Sequence, residues 1–238
     1  MSTPNSWQAS AAPSSTAYFD EGLRQHMLRV YNYMGGGLVL TGIVALFVAS
    51  TPAIYQPIFG TPLKWVVIFA PLAFIFFLSF RIQTISAATA QTLFWVFCAL
   101  IGLSLAAVFL VFTGTSIART FFITAAMFGA TSLYGYTTRR DLSKFGSFLF
   151  MGLIGLVIAS IVNLLIGSSV LQFLVSVVGV LVFTGLTAYD TQNIKEQFAE
   201  DFGSETNSKL AVWGALSLYL NFINLFQLLL NLTGDREE

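Results

Sequence analysis

The stretch "GALSLYLNFINLFQLLLN" (214–231) decides how this chain folds. It carries no charge and is dominated by leucine and phenylalanine, and about 20 mostly apolar residues in a helix cross the hydrocarbon core of a bilayer. Its polar residues are not scattered. Ser217, Asn221, Asn224, Gln227 and Asn231 follow one another at steps of 4, 3, 3 and 4. At 100° per residue all five fall within an arc of roughly 120°. An amide left in hydrocarbon without a partner costs several kcal/mol. That face therefore looks at other helices or at water, while Tyr219, Phe222, Ile223 and Phe226 make the opposite side.

The rest of the chain supports a membrane reading. Of 238 residues 56% are hydrophobic and only 9% are charged, against about a quarter charged in a soluble chain. Seven apolar runs qualify as spans: 30–50, 63–81, 88–112, 117–137, 146–167, 170–190 and 211–231. They predict an all-α membrane protein of seven transmembrane helices. No alternating pattern of about 10 residues recurs, which argues against a lipid-spanning barrel. The breaks are "STPAIYQPIFGTP" (50–62), "TGTS" (113–116), "TTRRDLSK" (137–144), "GSS" (167–169) and the long polar link 191–209. Residues 1–22, rich in Ser, Thr, Ala and Pro, read as a flexible tail ahead of a transmembrane domain over 23–238. Glycines at 35–37, Gly102 and Gly155 read as helix-packing positions.

Charge sets the orientation. With the N-terminus in the cytoplasm, the inner side holds Arg24, Arg29, Arg81, Arg139, Arg140, Lys144, Lys195 and Lys209, and the outer side only Lys64, Arg119 and Arg236. This bias is the one that orients membrane proteins. Net charge is zero and no basic cluster suits nucleic acid. Cys98 is the only cysteine and His26, ahead of the first run, the only histidine, so no disulfide, thiolate metal site or intramembrane histidine relay is expected. No cofactor is expected.

The sixth run carries a matching stripe of Ser176, Gly179, Phe183, Thr187 and Asp190. Two striped helices joined by one link predict that the stripes meet, with Asp190 in a polar seam near the inner end and Asn221 its neighbour. Ionisable residues within spans are costly and mark function, although a carboxylate near the interface is also open to hydration. Thr187, Ser217, Asn224 and Gln227 are candidates to line a pore. Amides of this kind also serve as interhelical glue at about 1 kcal/mol each. Arg81 closes the second span, where it is either a snorkelling anchor or a cationic partner for Asp190.

The segments "LTAYDTQNIKEQF" (186–198) and "GALSLYLNFINLFQLLLN" together resemble the transmembrane Bax-inhibitor-motif family, whose bacterial members include the YccA-like inner-membrane proteins. The resemblance covers about residues 25–234. It implies a bacterial inner-membrane bundle whose last helix is central and wrapped by two groups of three. It also implies a pH-sensitive calcium leak, or restraint of a membrane-bound ATP-dependent protease. In the family a pair of aspartates on helices six and seven senses pH, with an arginine on helix two. Asp190 and Arg81 match two of these positions, but Asn221 stands in "YLNFINLF" where the second aspartate is expected. Close carboxylates titrate as a coupled pair, so a single one implies weaker or shifted pH sensing, which Asn221→Asp is expected to sharpen.

Three functional classes follow. A calcium-permeable path would use Asp190 as a weak calcium ligand and the amide oxygens beside it, since calcium takes oxygen donors. Its gate would be an Asp190–Arg81 contact released by protonation. A docking regulator of another membrane complex, such as the protease, would use the tail and the 191–209 link. An intramembrane aspartyl protease needs two aspartates, and the spans offer only Asp190, so no enzyme activity is expected.

Overall fold

A computed structural model describes residues 15–81, 84–199 and 202–237. Eight helices are found among them: α1 (Ser15–Ala49), α2 (Pro52–Phe59), α3 (Leu63–Arg81), α4 (Ala87–Val111), α5 (Gly114–Thr137), α6 (Ser143–Ile166), α7 (Ser169–Gln197) and α8 (Ser204–Thr233). Seven are long and apolar enough to cross a membrane, all except the short α2. Most packed helix pairs fall within two sets, α1/α2/α3/α4 and α5/α6/α7, with a small α1–α7 contact between them and α8 against α1, α4, α5 and α7. Tyr219 of α8 is fully enclosed. Its hydroxyl lies 2.6 Å from that of Thr41, and its ring meets Phe94 and Phe97 of α4 edge-on.

Hydrogen bonds fix which ends lie together. Arg29 Nη1 donates to Ser208 Oγ, and the Ala87 amide donates to a Glu205 carboxylate oxygen. The starts of α1, α4 and α8 thus share one end. At the opposite end the chain after α8 pairs with the α4–α5 turn, through a Phe112–Arg236 bridge and a Thr113 N–H bond to the Asp235 carbonyl. Ser116 and Arg119, near the start of α5, donate to the Asp235 carboxylate.

The helix boundaries correct the sequence reading at three places. Residues 15–22, placed in the tail by composition, begin α1, while residues 1–14 lie outside the described residues. The break at 50–62 contains α2, which takes Pro52 in its first turn, where a missing N–H costs nothing. With α1 starting early, His26, ahead of the apolar run, also lies in this helix, buried against the ring of Phe198. Most important, the 191–209 link is mainly helix. α7 runs on to Gln197 and α8 starts at Ser204.

The extension of α7 has a physical cause. Thr191, Gln192 and Ile194 are buried. Gln192 accepts from the Leu142 amide and donates to the Arg140 carbonyl, and Lys195 Nζ donates to the Tyr136 carbonyl. Polar residues that read as loop are instead satisfying the backbone of the α5–α6 connection, where carbonyls past a helix end lack partners.

Glycines separate by their surroundings. A Cβ at Gly37 or Gly102 would strike Phe94 and Cys98, or the Thr41 carbonyl and Val44, so these two seat α1 on α4. Gly155 faces open space, because α6 packs on α7 alone and turns its other side outward. In α3, Pro71 lacks the N–H that would bond the Val67 carbonyl. Ser104 of α4 replaces it, its hydroxyl donating to Val67 O at 2.6 Å.

Candidate functional site

Asp190 lies seven residues inside the end of α7, not at its tip. Its side chain faces α8. Ser217 Oγ and Asn221 Nδ2 each donate to Asp190 Oδ2, both at 2.7 Å. Asn221 is buried at 5% exposure, so this bond is made away from bulk water. Two donors on a single carboxylate oxygen form a charge-assisted latch between α7 and α8.

Arg81 is not part of the latch. It is the last residue of α3, it is exposed, and its backbone carbonyl caps the turn by accepting from Thr84. Among the described residues the ion pairs are Arg24–Glu21 and Arg119–Asp235, and neither involves Asp190. The expected Asp190–Arg81 contact is therefore not formed here. The reason lies in the packing: α3 rests on α4 and forms no packed interface with α7.

Beside the latch opens a cavity of about 1260 Å³, lined by α6, α7 and α8 with Phe69 and Leu72 of α3 on its edge. Asp190, Ser217, Asn221, Asn224, Gln227 and Asn231 all line it. The polar stripe of the last helix is thus the floor of a cleft. Asn224 Nδ2 returns to the Leu220 carbonyl of its own helix at 2.8 Å, which leaves its carbonyl oxygen for the cleft. Thr187 is not in the lining. It is fully buried and its hydroxyl donates to the Phe183 carbonyl, which satisfies it within α7. Among the described residues no group of three or more His, Cys, Asp or Glu side chains is placed to hold a metal ion. The oxygens available to a cation are the Asp190 carboxylate and the amide carbonyls.

Several cleft residues had no signal in one helix alone. Asn163 of α6 and Gln172 of α7 line the cleft with the amides of α8. The Asn163 Oδ1 atom is buried without a hydrogen-bond partner. A second feature was equally hidden. Tyr31 of α1, Ser132 of α5 and Thr191 of α7 form a chain of hydroxyls at 2.6 and 2.9 Å that ties the two helix sets together beside the latch. Gln192 and Lys195 did leave a trace, since Ala188, Thr191 and Ile194 continue the buried face of α7 at steps of three.

Comparison with known proteins identifies a family and close relatives. The model of the family described as "Inhibitor of apoptosis-promoting Bax1" matches residues 23–238. The inner membrane protein YbhL of Escherichia coli strain K12 is 47% identical over 218 residues, covering 90% of this chain and 93% of its own. The protein RP147 of Rickettsia prowazekii is 48% identical over 225 residues, 94% of this chain and 95% of its own. A Caulobacter vibrioides protein is 47% identical over 229 residues, 92% of each chain.

Proposed function

The chain belongs to the Bax inhibitor family, and from that premise we propose that it is an inner-membrane protein through which calcium leaks along the α8 cleft, under the control of Asp190. One observation carries this reading: a cavity of about 1260 Å³ follows the polar stripe of α8 and ends at a carboxylate latched between two helices.

Calcium binds carboxylate, carbonyl and water oxygens. The amides of Asn224 and Gln227 supply carbonyls along the floor, and Asp190 supplies the charge. Conduction needs sites weak enough to leave. One carboxylate with neutral amides meets that need better than a closed cage of acids.

The gate in this proposal is the latch itself, not an arginine contact. Ionised Asp190 holds Ser217 and Asn221 through bonds about twice as strong as neutral ones. Protonation halves that hold and frees α7 to shift against α8. With an amide at 221 in place of a second acid, pH sensing is weaker than in a two-aspartate member of the family. The N-terminus lies in the cytoplasm in this proposal, which puts Asp190 near the inner face.

Docking on a membrane protease is the less favoured reading. Its described handle, the α7–α8 link, shrinks to residues 198–203. The test is calcium uptake by vesicles holding the purified protein. Asn224→Leu places an apolar side chain on the cleft floor and should cut uptake to the level of empty vesicles. Uptake equal to wild type would contradict the proposed path.

A further inference from the structure

We propose that the same cleft is also a lateral groove for the headgroup of a zwitterionic phospholipid, which enters from the bilayer between α3 and α6 and passes from one leaflet to the other.

The first argument is length. The lining on α7 runs from Gln172 to Asp190 and on α6 from Gly146 to Leu164. At 1.5 Å per residue the α7 stretch covers about 27 Å. The hydrocarbon core of a bilayer is about 30 Å thick. Along α8 the polar stripe from Ser217 to Asn231 covers about 21 Å of that depth.

The second argument is shape. α3 packs on α4 and α6 packs on α7, and the two form no packed interface with each other. The cleft edges between them are apolar and turned outward: Phe69 and Leu72 on α3 are 51% and 53% exposed, Val157 and Ile161 on α6 52% and 57%. A polar floor behind an apolar, outward rim matches a lipid held with its headgroup inside and its tails outside. A dehydrated cation needs no such rim. A cavity of about 1260 Å³ also exceeds the space one ion requires.

The third argument is chemistry. The Asp190 carboxylate and the Asn224 carbonyl oxygen, both in the lining, suit an ammonium, and the amide nitrogen of Asn163 suits a phosphate. The amide N–H groups of Gln172 and Gln227, also in the lining, suit a phosphate. Among the described residues no lysine, arginine or histidine lines the cleft, and its one carboxylate is Asp190. That balance admits a headgroup carrying both charges and disfavours one that is only anionic.

The experiment uses vesicles holding the full chain and a short-chain phosphatidylethanolamine with the fluorophore on its acyl chain. Albumin outside the vesicles extracts the probe from the outer leaflet and is too large to follow an ion leak. The proposal expects extraction to continue past the outer-leaflet share, and more slowly for the matching phosphatidylglycerol probe. Asn163→Leu with Gln172→Leu should slow it about tenfold, the effect of losing two amide partners. If that pair does not fold, Gln172→Leu alone, at an exposed position, carries the test. Extraction that stops at the outer-leaflet share overturns the proposal. So does equal crossing by both probes, or an unchanged rate in the variants. Calcium uptake is read on the same vesicles. Uptake without lipid exchange sinks this inference alone, and exchange without uptake sinks only the leak.

Discussion

Removing the donors of the latch one at a time and then together gives the sharpest energetic test. Ser217 and Asn221 both donate to Asp190 Oδ2 at 2.7 Å. A hydrogen bond to a charged group contributes about 1.5–3 kcal/mol in soluble proteins. Interhelical bonds in a membrane protein average only about 0.6, with a maximum near 1.7 kcal/mol, because the unfolded chain in lipid also finds partners. The charged acceptor places these two toward the upper end, but each deletion leaves the other donor on the same oxygen. Ser217→Ala and Asn221→Leu should therefore cost about 1 kcal/mol each. The double variant strips the carboxylate and should cost about 3 kcal/mol, the penalty for a buried charge without its partner. Thermal unfolding in detergent reads this directly. For a chain of this size 1 kcal/mol moves Tm by about 2–4 °C, so the double variant should fall by about 6–12 °C, clearly more than the singles combined. Additivity within about 0.5 kcal/mol would mean that the two donors do not share one carboxylate, and the latch would be refuted.

Three other outcomes follow from the packing. Ser104→Ala removes the hydroxyl that serves the Val67 carbonyl left free by Pro71, and should destabilise α3 by about 1–3 kcal/mol; unchanged protection of α3 in hydrogen exchange would contradict this. Gly135→Ala drives a Cβ into the Ala188 carbonyl and backbone on α7, and should cost about 3 kcal/mol or abolish folding; a wild-type Tm would contradict the close α5–α7 contact. Hydrogen bonds from Ser143, its side chain first and then its backbone amide, hold the Asp141 carboxyl below the usual carboxylate range at the start of α6. Its folded value being depressed, its small stabilisation is complete above the unfolded value and is lost as pH falls through the folded one. An NMR titration of Asp141 should show a midpoint below about 3.9, and a midpoint above that would contradict the Ser143 bonds.

The helices were legible because lipid makes period and length explicit. The α8 arc and the α7 stripe each identify a face that hydrocarbon will not accept, and both faces bound the cleft. Asp190 beside Asn221 followed from that. Residues 191–197 were misread because polarity there signals partners as well as solvent: Gln192 and Lys195 are polar in order to satisfy carbonyls on a connection about 50 residues earlier. Arg81 was placed by its depth in the membrane, which sequence gives, and not by its helix neighbours, which sequence does not. Thr187 lay on the right stripe by angle, yet it closes on its own helix. Asn163 shows no pattern within α6. Only the meeting of three helices makes it a cleft residue.

The central claim is that the charge on Asp190 sets the state of the cleft. The most direct measurement is calcium flux through vesicles holding wild type or Asp190→Asn, followed from neutral to acid pH. The variant should conduct at neutral pH at the rate wild type reaches only in acid, and should then ignore further acidification. Neutral flux equal to wild type, with the response to acid intact, would show that this carboxylate does not hold the gate.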